Sequence, residues 1–398
     1  TIEAIQNRDC GWFFEVPQDE FIKIPGSPIA YWVMERFRNL FAQSESLQDY
    51  AIAKQGLATG DNDRFIRRWH EIDYRKIGFG CSDKNEAQRG DSKWFPFNKG
   101  GGFRKWYGNH EYVICFDIAS YRQLKQSGNN CPSEKYYFQP SVSWSDVTSS
   151  DSSFRRYPPG FIHGNVGHSA FGQDEEWRSG LLAYCNGRFV CEVIKLLCPT
   201  MHFDVGYFNQ IPYLTKSWSV DFTKISDTCV SISTLDWDAY ERSWDFQLSP
   251  VLISGITQTL KSSFTTWISQ NNTAIAEIKR LEEKNNQLFI NGHDLNSEIF
   301  PEVTIEKISL TINPAYRYGV KGTEEERNIR FREDTMAELV SYAIGCMMGR
   351  YSLDEPGLVY ANSGNEDFDA SRYTKFPADD DGIVPLTDKE WFADDAAN

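Results

Sequence analysis

Apolar positions along this chain change period several times, and each change predicts an element. Ile29, Trp32, Val33, Phe37 and Leu40, with Arg36 among them, keep helical spacing behind Ile24-Pro25-Gly26-Ser27-Pro28. That predicts a helix capped by Ser27 with Pro28 in its first turn. From about 51 to 216, short apolar runs alternate with Gly, Ser and Asn turns. Tyr112-Val113-Ile114-Cys115-Phe116 and Tyr136-Tyr137-Phe138 read as strands, with Ser143-Trp144-Ser145 and Arg155-Arg156-Tyr157-Pro158-Pro159-Gly160 at turns between strands. The helical period returns over 174–197 through Trp177, Leu181, Leu182, Cys185, Phe189, Val193 and Leu196, a core helix with Asp174, Glu175 and Glu176 at its N-terminus. Leu260, Phe264, Trp267, Asn271, Ala274, Ile278, Leu281, Asn285 and Leu288 then alternate spacings of four and three. This heptad stripe predicts a coiled-coil-like helix over 251–290, and packing against another helix of the chain, such as 324–348, is favoured over an oligomerisation arm.

The elements predict an α+β chain in four parts. Residues 1–50 form a connector with exposed aromatics, 51–216 a mixed α/β domain, 217–350 a helical domain with the long heptad helix, and 351–398 an acidic, extended, weakly ordered tail whose Asp379-Asp380-Asp381 is a solvated charge run. With 12 Trp, 19 Tyr and 27 Phe in 398 residues, substantial cores can be buried. No apolar run reaches ~18 residues and no charged-then-apolar leader opens the chain, so neither a membrane span nor a signal peptide is expected. None of the nine Cys falls in a C-x-x-C pair, which suits reduced core thiols in a cytoplasmic protein.

Net charge is −15, which at face value disfavours a polyanion partner. Its distribution changes that picture. Arg64 to Lys105 holds 11 Lys+Arg against 5 Asp+Glu, a balance of +6, whereas Tyr351 to Asn398 holds 3 against 12, a balance of −9. Counterion release depends on the phosphates contacted locally and not on total charge.

The basic stretch also carries the candidate chemistry. Gly56-Leu57-Ala58-Thr59-Gly60-Asp61-Asn62 can bend sharply and present N–H groups, and Lys93-Trp94-Phe95-Pro96-Phe97-Asn98-Lys99-Gly100-Gly101-Gly102-Phe103-Arg104-Lys105-Trp106-Tyr107 interleaves cations and rings around three glycines. Together they predict one DNA-binding surface. Lys99, Arg104 and Lys105 are assigned to phosphates, Arg67 and Arg68 to phosphate or guanine, and Asn62, Ser143 and Arg156 to base edges, with the neighbouring Arg155 counted as a DNA-binding residue. Trp106 and Trp144 wedge or stack on bases unless they are core residues. A bland solvated face is the rival reading of the same charges.

These words, followed in order by Ser143-Trp144-Ser145, Arg156-Tyr157-Pro158-Pro159-Gly160-Phe161, Ser243-Trp244-Asp245-Phe246, Pro301-Glu302-Val303 and Ala343-Ile344-Gly345-Cys346-Met347-Met348-Gly349-Arg350-Tyr351, resemble the specificity region of adenine-N6 DNA methyltransferases. More narrowly, the chain resembles the PglX (BrxX) enzymes of bacterial BREX phage-defence systems. The resemblance implies a target-recognition segment whose whole enzyme moves a methyl group from S-adenosylmethionine to adenine N6 in a short site and so marks host DNA. It also implies a catalytic domain N-terminal to these residues, so no cofactor is expected in this segment. Expected partners are double-stranded DNA, the chain's own methyltransferase domain, other subunits of the defence system and a phage inhibitor that mimics DNA. Two alternatives stand: a protein-interaction module docking other subunits, and the specificity half of a fused restriction-modification enzyme.

Other sites are weaker. Asn313-Pro314-Ala315-Tyr316 resembles the Asn-Pro-Pro-Tyr loop that grips a flipped adenine, but it follows the recognition region and has Ala at the second proline position, so it reads as structural. His163 and His168 lack companions at ligand spacing and read as hydrogen-bonding surface histidines. No Gly-Lys-Ser/Thr phosphate loop or Gly-x-Ser-x-Gly elbow occurs. No catalytic or metal-binding residue is expected.

Overall fold

The computed structural model describes residues 2–11, 13–147, 151–198, 200–213, 220–253, 259–296, 298–361 and 367–379. Two compact units divide the chain: Thr1–Ile72, Lys76–Trp237 and Asn271–Val320 form the first, and Asp73–Arg75, Asp238–Gln270 and Lys321–Asn398 the second. The α+β class expected from the pattern is what the structure has.

The strands lie in the first unit: β1 (Glu45–Ser46), β2 (Ile52–Lys54), β3 (Ile66–Arg68), β4 (Trp94–Asn98), β5 (Tyr112–Cys115), β6 (Ser141–Ser145), β7 (Phe154–Tyr157), β8 (Ile162–His163), β9 (Gly167–Phe171) and β10 (Pro212–Tyr213). β1 pairs with β10, and two four-stranded sheets run in the orders β2-β9-β6-β7 and β3-β5-β4-β8. Aromatic and β-branched residues fill the second sheet, where Ile66, Ile114 and Phe95 sit opposite one another. Their face joins Phe97, Phe116, Phe138 and Leu124 in a buried cluster, Leu124 coming from helix α2 (Ile118–Ser127). Between the sheets lies a buried polar seam. Asn98 Nδ2 donates to Ser143 Oγ (2.5 Å), and Ser143 Oγ donates to the His168 carbonyl (2.6 Å). These bonds satisfy Asn98 and Ser143, as their removal from water requires.

Helix α1 (Glu35–Gln43) precedes the sheets, and α3 (Glu175–Cys185), α4 (Arg188–Leu197) and α5 (Val220–Asp238) follow them. The long helix α6 spans Leu260–Gly292, and α7 spans Glu324–Met347. Within the second unit Trp267 of α6 stacks on Phe331 of α7, with centroids 5.5 Å apart. In the first unit, Asn285 of the same heptad stripe donates to the Ala183 carbonyl at 2.9 Å, and Phe289 stacks on Phe222 at 4.2 Å. Trp267, Asn271, Ile278, Leu281 and Asn285 of the stripe are buried, whereas Leu260 at its start is exposed.

Several local expectations are corrected. Gly26 and Ser27 both take positive φ, 79° and 48°, so the chain turns there and the helix starts at Glu35. Tyr136 ends a 3-10 turn, Glu134–Tyr136, and Phe138 is left-handed (φ 69°), so the run Tyr136-Tyr137-Phe138 enters the core from a loop and not as a strand. Ser143-Trp144-Ser145 and Arg155-Arg156-Tyr157 are strand residues, not turns. The helix expected over 174–197 is two, because the Asn186 side chain accepts from the Phe154 amide and donates to the Phe154 carbonyl, both at 3.0 Å. That pull toward β7 ends α3, and Gly187 opens α4.

Past Tyr351 the described residues are packed within the second unit. Arg372 pairs with Glu355, and Tyr373 donates its hydroxyl to the Gly349 carbonyl at 2.6 Å. Asp380 and Asp381 of the expected charge run lie outside the described residues. All nine cysteines are free, and no helix among the described residues is long and apolar enough to cross a membrane.

Candidate nucleic-acid interface

Geometry divides the eleven predicted contact residues into a buried set and an exposed set. Arg104 is 2% exposed. Its guanidinium meets Asp236 Oδ2 at 2.5 Å, Thr311 Oγ1 at 3.0 Å and the Tyr107 carbonyl at 2.8 Å, and lies 5.0 Å from the Trp237 ring. Asp236 in turn accepts the amides of Thr311 (2.8 Å) and Ile312 (2.9 Å). Lys105 Nζ and Trp106 Nε1 both reach Glu282 of α6, each at 2.8 Å. Trp106 holds φ at 72°, costly for a bulky residue, while its amide and carbonyl pair with Phe154 and Arg156. These three residues therefore join the strands to α5, α6 and the 309–312 segment. The expectation that Arg104 and Lys105 meet phosphates does not fit this arrangement, because their charges are already spent on buried carboxylates.

Ser143 and Trp144 are fully buried. The Trp144 indole donates to the Phe203 carbonyl (2.9 Å) and stacks on Phe208 (4.4 Å), which makes it a core residue and not a wedge. Arg156 is held by Asp227 (2.7 Å) and Glu175 (2.9 Å). Arg155 is different. It is fully buried, yet its partners are the Arg104 carbonyl (3.0 Å), Ser153 Oγ (3.2 Å) and Ser145 Oγ (2.9 Å), with no carboxylate among the described residues. Burial lowers its pKa. A guanidinium still keeps its proton, so a positive charge sits inside the fold with the Tyr157 hydroxyl favouring the charged form and no carboxylate partner among the described residues.

Asn62 and Arg68 are exposed, whereas Lys99 and Arg67 are half-buried, the Arg67 guanidinium donating to the Ile66 carbonyl at 2.7 Å. Asn62 accepts from Thr59 Oγ1 at 2.7 Å beside the Gly56–Gly60 bend. Arg67 and Arg68 sit on β3, the edge strand, with Arg68 opposite Tyr112 of β5. Lys99 Nζ lies 4.7 Å from the centre of that same Tyr112 ring. Arg64 reaches Gln123 of α2 at 2.7 Å, next to exposed Arg122. The result is a cationic edge running Lys99, Tyr112, Arg68, Arg67, Arg64 and Arg122, suited to a phosphate backbone. Sequence reasoning missed Arg64, Arg122 and Tyr112, though all three lie in or beside the basic stretch it singled out. It also missed Asp236 and Glu282, for which no local signal exists.

Both histidines expected at the surface are buried, each 2% exposed. His163 has its pKa pushed down to about 4 by burial, and burial also lowers that of His168. Asn313 caps a short helix: its side chain donates to the Ile305 and Ile308 carbonyls (both 2.8 Å) and accepts from the Ala315 amide. Those bonds use the amide that an adenine would need. No group of three His, Cys, Asp or Glu that could hold a metal occurs among the described residues.

No protein-family model matches the chain. It is 35% identical over 388 residues to the adenine-specific methyltransferase BrxX of Escherichia coli O9:H4 (strain HS), a match covering 96% of this chain and 31% of that protein. It is 34% identical over 407 residues to the adenine-specific methyltransferase PglX of Lacticaseibacillus casei (strain Zhang), covering 99% and 32%. The chain spans about a third of the length of the curated relatives it matches. Over nearly all of its own length, it is homologous to one section of the BrxX and PglX adenine-specific methyltransferases.

Proposed function

We propose that this chain is the DNA-recognition section of a BREX-type adenine-N6 DNA methyltransferase, directing transfer of a methyl group from S-adenosylmethionine to adenine within a short site. The observation that carries the reading is the similarity to two adenine-specific methyltransferases across 96% and 99% of the chain. The exposed cations at the β3 edge support it, since phosphate contacts fix register on a duplex and leave base edges to neighbouring polar groups. S-adenosylmethionine belongs to the whole enzyme in this reading, and the chain contributes the address.

The test is a chimera in which this whole chain replaces the matching section of the L. casei relative. The whole chain is moved because Arg104 and Lys105 tie the strands to Asp236 and Glu282. Sequencing of methylated adenines should show a new site. An active chimera that keeps the recipient's original site overturns the reading.

A second reading, a protein-docking module, is favoured by one feature. A groove of about 610 Å³ is lined by Trp32, Met34, Phe37, Leu196, Ile299 and Phe300, with Trp32 58% and Phe300 69% exposed. If the groove holds the methyltransferase domain, Trp32→Ser with Phe300→Ser should reduce methylation by the chimera without changing its site.

A further inference from the structure

The loop between β4 and Arg104 has its carbonyls fastened and its amides left open. The Gly101 carbonyl accepts from Ser145 Oγ at 2.8 Å, the Gly102 carbonyl accepts from Asn109 Nδ2 at 3.0 Å, and the Phe103 carbonyl accepts from the Tyr316 hydroxyl. At the loop's start, Asn98 Oδ1 accepts the Gly100 amide at 3.0 Å. The amides of Gly101, Gly102 and Phe103 bond to no described residue. In a trans peptide the C=O and the following N–H point in opposite directions. Anchoring the carbonyls of Gly101 and Gly102 therefore turns the N–H groups of Gly102 and Phe103 away from Ser145 and Asn109.

Two further observations point to an anion. Ser145 Oγ, which holds the Gly101 carbonyl, also accepts from Arg155, the fully buried guanidinium with no carboxylate partner among the described residues. A buried cation without a counter-ion raises the positive potential above it, and Lys99 adds a second charge at the loop's first residue. Gly102 supplies the other observation. Gly100 and Gly101 are required by the chain itself: both have positive φ, and an added Cβ would fall 2.7 Å from the Val166 carbonyl oxygen or 2.5 Å from Asn109 Nδ2. At Gly102 the backbone is not left-handed and an added Cβ meets nothing within 4 Å. The fold does not demand glycine there, and the open space leaves room for an external group to approach the backbone closely.

We propose that the Lys99–Phe103 loop binds a backbone phosphate of duplex DNA through the amides of Gly102 and Phe103, with Lys99 and Arg155 supplying the field. The proposal rests on the reading of the chain as a DNA-recognition section and names where that section grips the backbone. Paired backbone amides bind phosphate without reading sequence. The loop therefore sets register for every target alike.

The experiment uses the full chain. Binding of a fluorescent duplex is followed by anisotropy over a series of salt concentrations, and the backbone amides are followed by NMR during titration with duplex or with inorganic phosphate. The Gly102 and Phe103 amides should shift on adding duplex. Gly102→Asp, which the open space at that position accommodates, should keep the wild-type melting temperature and bind duplex roughly tenfold more weakly, the scale of one charge-assisted hydrogen bond. If wild type binds in a salt-dependent manner and Gly102→Asp binds equally well with both amides unmoved, the loop assignment is wrong and DNA recognition stands. Amides that respond to inorganic phosphate but not to duplex overturn the assignment to DNA. Absence of salt-dependent duplex binding by wild type sinks the broader reading and this one with it.

Discussion

Lys99–Phe103 and Arg104–Trp106 are consecutive in sequence, each combine positive charge with an aromatic residue, and behave oppositely. In the first, the carbonyls of Gly101, Gly102 and Phe103 and the Gly100 amide are engaged, the amides of Gly101, Gly102 and Phe103 bond to no described residue, and Lys99 rests on the Tyr112 ring. In the second, every charge is met by a buried carboxylate and the indole N–H by the same Glu282 that takes Lys105. Placing Arg104 and Lys105 on a phosphate would leave Asp236 and Glu282 buried and unpaired, a cost that a surface contact does not return. A basic motif is therefore a binding surface only where the fold has not already neutralised it. Here that boundary falls between Phe103 and Arg104.

The largest effect expected is at the buried pair. Arg104→Ala should destabilise the chain by ~3–5 kcal/mol, because buried Asp236 would lose its guanidinium and be left with the amides of Thr311 and Ile312. Denaturant unfolding measures this. The comparison breaks if Arg104→Ala unfolds at the wild-type midpoint while losing DNA affinity, since Arg104 would then be a contact and not a joint.

Acid should separate the two regions next. Burial pushes the pKa of His110 down to about 3 and that of His163 to about 4, whereas an unfolded histidine titrates near 6.5. Folding holds both neutral, so below about 6.5 the unfolded state binds more protons and stability falls as pH drops. The loss continues to about pH 4 for His163 and about pH 3 for His110, and amounts to a few kcal/mol on the order-of-magnitude scale of such shifts. Melting temperature should therefore decline between pH 6.5 and 4. The salt dependence of DNA binding by the folded chain should not follow it, because neither histidine is among the edge cations Arg67, Arg68 and Lys99. A melting temperature flat across this range would show that neither histidine is held neutral by the fold.

What the sequence made legible follows from the range of each signal. Period and propensity are local, so the α+β class, the strand at Tyr112–Cys115 and the long helix at Leu260–Gly292 were readable. The break at Asn186-Gly187 was not, because its cause is a pair of hydrogen bonds to Phe154 in a strand far upstream. The candidate site divides in the same way. Arg67, Arg68 and Lys99 are basic and partly or fully exposed, but the carboxylates that claim Arg104 and Lys105 lie 132 and 177 residues away along the chain. Positive charge is a local property of sequence, whereas neutralisation belongs to the fold. Arg155 shows the converse: nothing near it in sequence distinguishes an arginine with no carboxylate partner among the described residues from Arg156, which has two.

The smallest effects give the sharpest comparison, because two lysines six positions apart should fail in opposite ways. Lys99→Gln removes a charge that rests on the half-buried Tyr112 ring and has no carboxylate partner among the described residues, so the melting temperature should hold. Its log–log salt slope for DNA binding should flatten by about 0.9, the share of one phosphate contact on duplex DNA. Lys105→Gln removes one of two partners of Glu282 and leaves the Trp106 indole in place, so a loss of about 1–2 kcal/mol is expected, less than at Arg104. Its salt slope should equal that of wild type, because Lys105 Nζ is engaged with Glu282 and contributes no counterion release. The two variants thus exchange signatures, slope without stability for Lys99 and stability without slope for Lys105. If both flatten the slope equally with stability intact, Lys105 leaves Glu282 for DNA, and the boundary between Phe103 and Arg104 is not where the binding surface ends.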